Sequence, residues 1–513
     1  MTHSANLAVT TNAQPLALAD IPDLAIETFA DTLAESMADG RSTLSALFGV
    51  PNSAQRLRIY AVTSQTATGK LSLFATEVGD RYPALTPRIT QAHWFERELA
   101  EQWGVVPEGH PWLKPLRFHR SYRNGQDAWG RTEDQPILPG VLPENADYFK
   151  VHGEEIHEVA VGPIHAGVIE PGHFRFQCHG ERVFTLEIEF GYQHRGIERS
   201  LIGGPDKRTL HTMETLSGDA TIGHTTAYCQ ALEGLADQEP PIRAQAIRAL
   251  ALELERLPNH TGDLGALAGD IGYLPTLSYC GRIRGDFLNT TALLCGNRYG
   301  RNLVRPGGVA YDLDENLEQQ VADRVATAYR DVTGAIKLLW ASTSVLARLE
   351  NIGTVPLATA TELGMVGMAA RASGIDRDVR RDFPSGYFRF VQLPVAYWHT
   401  GDAFARGYIR HLEIGRSCRY LMDQIHQLPG GDHRCDLRPR RGNQIVASLV
   451  EGWRGEICHV AITDNDGQFA HYKIIDPSFH NWCGLAMALR DQEISDFPLN
   501  NKSFNLSYCG HDL

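Results

Sequence analysis

Three prolines and the spacing between them fix the character of the larger part of this chain. Pro240 and Pro241 open a segment that Pro258 closes. Between them Ala246, Leu250, Leu254 and Leu257 recur on one face, with Arg243, Glu253 and Arg256 near its edge. Apolar side chains at this period, with proline at the entry and at the exit, predict a helix over Ile242–Leu257. One apolar face needs others to cover it, and further long helices are expected over Glu315–Leu349 and Ala403–Leu428. Ahead of them His173–Cys178 and Val183–Ile188 read as a strand pair about the turn Cys178-His179-Gly180-Glu181. The second part of the chain is therefore expected to be mostly helical, with a small sheet at one end.

At 513 residues the chain is too long for one ordinary core, and roughly two or three domains are expected. Residues 1–22 read as loosely ordered. Residues 23–118 read as a small α/β domain with helices over Ile26–Met37 and Ala92–Trp103 and strands at Leu57–Val62 and Leu71–Ala75. Gly104 ends the second helix. Residues 119–150, rich in Gly, Pro, Asn and Asp, read as a linker, with an ordered wrapping loop as the alternative. Residues 151–513 form the second domain, and the fold class is α+β.

Composition removes several functions. Hydrophobic residues at 43% and charged residues at 21% describe a globular chain. A net charge of −13 argues against nucleic acid as a partner, because phosphate binding needs clustered cations. The basic runs Arg380-Arg381 and Arg438-Pro439-Arg440-Arg441 are short, and a solvated or subunit-facing edge accounts for them. No stretch approaches the roughly 18–20 apolar residues of a membrane span, and the N-terminus has no signal-peptide pattern. The expected location is cytoplasmic, peripheral on the inner membrane. The nine cysteines include no CxxC, and the nearest two are Cys280 and Cys295. That spread fits separate reduced thiols, with no disulfide frame and no iron–sulfur cluster held by this chain. Any electron carrier must sit in another subunit or arrive as a small molecule. No GxGxxG follows a strand, so direct NAD binding is not expected.

Two blocks carry a family likeness. Trp94-Phe95-Glu96-Arg97-Glu98 with Gly109-His110-Pro111 resembles the C subunit of bacterial respiratory complex I. Glu170-Pro171-Gly172-His173-Phe174 and the run Gly191–Glu198 (GYQHRGIE) resemble its D subunit and the large subunits of membrane-bound nickel–iron hydrogenases, formate hydrogenlyase among them. Residues 252–272, 371–387 and the EGWRGE run at 451–456 extend the match, in order, over roughly residues 90–513. The resemblance implies a C-like domain fused to a D-like, hydrogenase-like domain.

In those hydrogenases two CxxC pairs bind a nickel–iron centre through soft, bridging thiolates. The matching positions here are Ser217 and Ala220, then Ser507 and Gly510, with Cys509 one residue out of place. No thiolate stands at any of them, so no nickel is expected. The D subunit instead shapes a quinone pocket beside the iron–sulfur cluster of a neighbouring subunit. Carried over, the likeness makes Asp270, His224 and His165 candidates for proton handling, and Arg282, Arg284 and Thr212 candidates for contact with a quinone. Arg195 and Glu198 become candidates for docking a partner. Two departures stand out: Ala166 replaces the family's pocket histidine, beside His165, and Thr212 replaces its tyrosine, beside His211. A structural ion-pair network is the expected role of Arg377, Asp378, Arg380 and Arg381.

The implied function is a subunit of a membrane-associated, complex-I-like redox assembly. It would bind an iron–sulfur small subunit resembling the B subunit, and support electron transfer to a quinone-like acceptor coupled to ion translocation by membrane subunits. Two alternatives share the scaffold: a hydrogen-evolving large subunit, and a non-catalytic coupling subunit with a vestigial cavity.

Overall fold

The computed structural model describes residues 7–52, 56–131, 147–167 and 169–513. Within it, residues 7–22 are a seam between two sheets rather than a loose tail. Ala8–Thr10 (β1) pairs antiparallel with a strand of the first sheet, and Leu16–Ala17 (β2) pairs with a strand of the last. Between them the buried Asn12 side chain donates to Phe383 O and Leu449 O at 2.8 and 2.9 Å and accepts from Leu449 N at 2.8 Å. Such pairing spans more than 370 residues and leaves no periodic trace in the local sequence.

Helix α1 (Ile26–Met37) lays Phe29 and Leu33, one turn apart, on the first sheet. That sheet runs β1-β5-β4-β3 and is antiparallel throughout, from β3 (Ser42–Pro51), β4 (Leu57–Gln65) and β5 (Lys70–Val78). Two short strands, β6 (Arg81–Pro83) and β7 (Val106–Glu108), pair in parallel beside it. Between them runs α2 (His93–Trp103), which stops at Gly104 with φ at 67°. A Cβ there would stand 2.7 Å from the Gln126 carbonyl carbon, so glycine is required twice over. Helix α2 is buried from Trp94 to Trp103, charges included, because it is the joint between the domains. Its Glu98 pairs with Arg117 and, at 2.7 Å, with Lys473, which in turn pairs with Glu198 at 2.8 Å. Of the expected linker, Tyr122 is bonded to Gln102 and residues 132–146 lie outside the described residues.

The second domain opens with the antiparallel sheet β10-β9-β8, formed by β8 (Ile156–Val161), β9 (His173–His179) and β10 (Arg182–Glu189). The turn falls at Gly180-Glu181, inside the tetrapeptide expected for it. Helices follow: α3 (Ile197–Ser200), α4 (Thr209–Met213), α5 (Thr221–Leu235), α6 (Ile242–Asp270) and α7 (Leu274–Cys295). Helix α6 does not stop at Pro258 but carries it in its interior, over 29 residues. An interior proline costs about 3 kcal/mol. The helix is buried along most of its length, and that burial outweighs the local penalty. Its glycines face α7, where a Cβ on Gly265 would stand 2.9 Å from Cys280 Cβ and one on Gly262 would stand 2.8 Å from Arg284 Cδ. Asp270 ends α6.

A two-strand pair, β11 (Val304–Arg305) and β12 (Gly308–Val309), precedes α8 (Glu315–Trp340) and α9 (Thr343–Leu349), a break where one helix was expected. Then come α10 (Leu357–Glu362), α11 (Gly367–Ala372), α12 (Val379–Asp382) and α13 (Ala403–Gln424). The last sheet, β15-β14-β13-β2, contains β13 (Gln444–Glu451), β14 (Glu456–Thr463) and β15 (Phe469–Ile475). Helix α5 covers it and β3 also touches it. Helices α14 (Pro477–Ala488), α15 (Phe497–Phe504) and α16 (Tyr508–Asp512) finish the chain. Among the described residues, no helix is long and apolar enough to cross a membrane. Gly265→Leu keeps a good helix former but overpacks the α6–α7 crossing, so the melting temperature of the purified chain falls, corresponding to about 1–3 kcal/mol; an unchanged melting curve contradicts the close crossing.

Candidate functional site

Two loops meet at the centre of the second domain: the one entering α5, through Leu216–Ala220, and the C-terminal turn entering α16. Ser217 Oγ and Ser507 Oγ lie 2.9 Å apart, both residues being 1% exposed. Ser507 caps α16 by accepting from Gly510 N at 2.9 Å, and a Cβ on Gly510 would stand 2.7 Å from Asp476 Cγ. Ala220 sits buried at the start of α5. Ser217 and Ala220 thus belong to the first loop, Ser507 to the second, and Gly510 to α16 itself.

Arginines strap the loops together. Arg195 donates to Thr215 O and Leu216 O, each at 2.8 Å, and to Cys509 O at 3.2 Å. Arg454 grips Asp219 with both nitrogens at 2.6 and 2.8 Å, while its Nε donates to Asn505 O at 2.6 Å. Ser217 also donates to Asp219 at 3.2 Å. A nickel–iron centre requires soft, deprotonated sulfur, and two hydroxyls, a methyl and a hydrogen do not fit it. The neighbouring thiol, Cys509, is 3.5 Å from Ser507 Oγ, and burial with Glu170 beside it pushes its pKa up to about 11.

A chain of hydrogen bonds leaves this cluster through Asp476. His224 Nε2 lies 3.0 Å from Asp476, His224 Nδ1 lies 3.1 Å from His459 Nε2, and His459 Nδ1 lies 2.9 Å from the Tyr472 hydroxyl. Asp476 can only accept, so His224 carries its proton on Nε2 and leaves Nδ1 as an acceptor. His459 must then donate from Nε2 and accept the Tyr472 proton at Nδ1. Every donor points towards Asp476. Burial holds His459 well below the usual imidazole range and raises Tyr472 well above its ordinary value. Burial would raise Asp476, but the His224 hydrogen bond and the Arg454 guanidinium outweigh it and lower the carboxyl.

Glu255, which no pattern in the sequence singles out, stands below the start of α5. It accepts from Ile222 N and Gly223 N at 2.6 and 3.1 Å. Burial nonetheless pushes its pKa up to about 8, so the carboxyl holds a proton at neutral pH.

The other expected site residues divide. Glu198 is buried, accepting from Lys473 at 2.8 Å, Ile474 N at 2.9 Å and Gln102 at 3.2 Å, and braces the domains instead of facing a partner. Arg195 is exposed, yet its guanidinium is committed to the straps. His165 binds Gly172 O at 3.0 Å in an outer loop. Thr212 spends its hydroxyl on Arg208 O along its own helix. Beside it the exposed His211 has Nδ1 3.2 Å from the buried Glu214, which also accepts from Asn302 N at 2.6 Å. Asp270 lies exposed at the end of α6; partial desolvation raises its pKa against the pull of Lys502. Arg282 is held in surface pairs with Asp286 and Asp331 at 2.8 and 2.6 Å, and the stem of Arg284 lies against Gly262. Among the described residues, no hydrogen bond or ion pair joins Asp270, Arg282 or Arg284 to the His224 chain. Arg380 is buried against Asp378 and Glu253 and forms no solvated edge, while Arg377 pairs with Glu456.

Comparison with known proteins shows the family. Residues 19–126 match the respiratory-chain NADH dehydrogenase 30 kDa subunit model, and residues 270–441 match the 49 kDa subunit model. The membrane-bound hydrogenase subunit alpha of Pyrococcus furiosus is 30% identical over 360 residues, covering 66% of this chain and 83% of the relative. The chain belongs to the family of complex I 49 kDa subunits and membrane-bound hydrogenase large subunits, with a 30 kDa-type domain fused in front. Formate hydrogenlyase subunit 5 of Escherichia coli is 27% identical over 444 residues, 84% of this chain and 77% of the relative. The fused C/D subunit of NADH-quinone oxidoreductase from Bacteroides thetaiotaomicron is 26% identical over 430 residues, 79% and 81% respectively. In this chain the Ser217 and Ser507 hydroxyls are in direct contact. Ser217→Cys combined with Ser507→Cys is expected to form a 217–507 disulfide under mild oxidation, mapped by peptide mass spectrometry. A pair that stays reduced, or crosslinks only through Cys509, contradicts the contact.

Proposed function

We propose that this chain is a nickel-free redox subunit of a membrane-associated, complex-I-like assembly. It seats an iron–sulfur small subunit, and that cluster's electrons pass to a quinone-like acceptor, coupled to ion movement in membrane partners, on the cytoplasmic face of the inner membrane. The observation that carries the reading is the side-chain closure of the central loops: Ser217 meets Ser507, and Arg195 and Arg454 join the two loops where hydrogenases use metal. Nickel has no ligands here, which weighs against hydrogen evolution of the kind named for formate hydrogenlyase.

Quinone reduction takes up two electrons and two protons. An exposed imidazole with a carboxylate behind it suits proton delivery, and His211 with Glu214 provides that pair next to Thr212. The relative named as an NADH-quinone oxidoreductase subunit points to the same acceptor class. The closed contact between the serines also favours a second reading, a coupling subunit that does no chemistry of its own.

The test uses the complex isolated with its small subunit, its cluster pre-reduced, and a short-chain quinone. Quinol forms, and His211→Ala slows it by about 10²-fold or more while cluster reduction is untouched. A cluster that reduces but never passes electrons to quinone supports the coupling role instead, and an unaltered rate in His211→Ala removes His211 from the reading.

A further inference from the structure

A partly open cavity of 360 Å³ lies at the opposite end of α6 from Asp270, between α5, α6, β13 and residues 384–389. Its charged walls are already neutralised by partners in the same chain. Arg248 holds Glu233 at 2.9 and 2.6 Å and also donates to Arg305 O and Gly308 O. Arg380 holds Asp378 and Glu253, and Glu451 accepts from Arg371 at 2.7 Å. The amides are similarly spent: Asn12 makes three bonds, and Gln230 donates to Ser385 Oγ at 2.9 Å and accepts from Ser448 Oγ at 3.2 Å. An ion entering this space would find no free counter-charge, which makes its burial costly.

What the wall still offers is apolar surface, a few polar groups nearer the solvent such as Gln14 and the Tyr387 hydroxyl, and one buried hydroxyl. Ala249, Leu252 and Leu449 supply aliphatic surface, and Tyr387 and Phe388 add rings. Thr226, also a lining residue, is 1% exposed, and its hydroxyl has no hydrogen-bond partner among the described residues. A buried hydroxyl without a partner is uncommon, and it marks the place where a bound molecule would supply one. Also in the lining, Arg389 grips Glu239 at 2.8 and 2.6 Å and reaches Gln245 at 3.3 Å. That pair is 36% and 58% exposed, weak enough to open and reform.

We infer that this cavity is a separate ligand site for an uncharged, mostly apolar small molecule carrying one carbonyl or hydroxyl oxygen that meets Thr226. The charge balance sets the neutrality and the lining sets the apolar body. The inference stands apart from the acceptor reading, since neither Thr226 nor Arg389 contributes to the His211–Glu214 pair.

The test measures binding to the full purified chain by calorimetry with three probes: decyl-benzoquinone, 1-decanol and decanoate. A neutral probe binds and decanoate binds at least tenfold more weakly. Preference for the quinone assigns the site to that class, and equal binding of decanol assigns it to lipid-derived alcohols; either result supports the inference. Ala249→Trp fills the space and abolishes binding, Thr226→Val weakens it several-fold with the shape kept, and His211→Ala leaves it unchanged. Melting curves confirm that each variant is folded. If neither neutral probe binds, the cavity holds water only and the inference falls. It falls equally if decanoate binds as well as the neutral probes, or if folded Ala249→Trp and Thr226→Val both bind like the parent.

Discussion

The larger domain is organised around one buried carboxylate, Glu413 on α13, on which three cationic or donor side chains converge. Arg371 from α11 donates to it at 2.7 Å, Arg256 from α6 at 3.3 Å and His260 from α6 at 2.7 Å. Burial alone would raise its pKa, but Arg371, His260 and Arg256 outweigh burial and hold it well below the usual carboxylate range. The network extends through Arg371 to Glu451 and through Arg380 to Glu253 and Asp378. Such a lattice is weak as a net source of stability, yet removing one member strands a buried charge and costs about 3–5 kcal/mol. Its effect is therefore to fix a single arrangement of α6, α11, α13 and β13.

That arrangement reaches the site through Arg256, which donates to Glu451 O at 2.8 Å and Gly452 O at 3.1 Å. Those carbonyls belong to the tight turn between β13 and β14, and the turn carries Arg454. Arg454 in turn ties Asp219 to Asn505 O and so sets the gap between the loops that hold Ser217 and Ser507. The chain of cause runs from an ion lattice to a turn, from the turn to a strap, and from the strap to two serines in contact. The two loops are thus joined by the chain's own side chains.

Local order is legible in the sequence wherever one face of an element meets solvent or a turn residue marks its end. Helix α1 begins and ends where its apolar period does, α2 stops at Gly104, and the β9–β10 hairpin turns where its glycine stands. The strands β13–β15 escape such a reading, because a sheet that is almost wholly buried leaves no alternation. Pro258 misleads for a related reason: propensity is local, and the burial that overrides it comes from helices distant in the chain. The pairing of the loops around Ser217 and Ser507 comes from family likeness, not from pattern. Neither route finds Glu255, whose role depends on two amides at the start of a different helix, nor the Glu214 carboxylate behind His211.

The central claim is that side chains, not nickel, close this centre. Elemental analysis of the complex isolated with the proposed iron–sulfur small subunit tests it most directly. The account predicts nickel far below one atom per complex and iron equal to what the partner's cluster contains. One nickel per complex would contradict it, and would mean that ligands other than thiolates at Ser217, Ala220, Ser507 and Gly510 hold the metal.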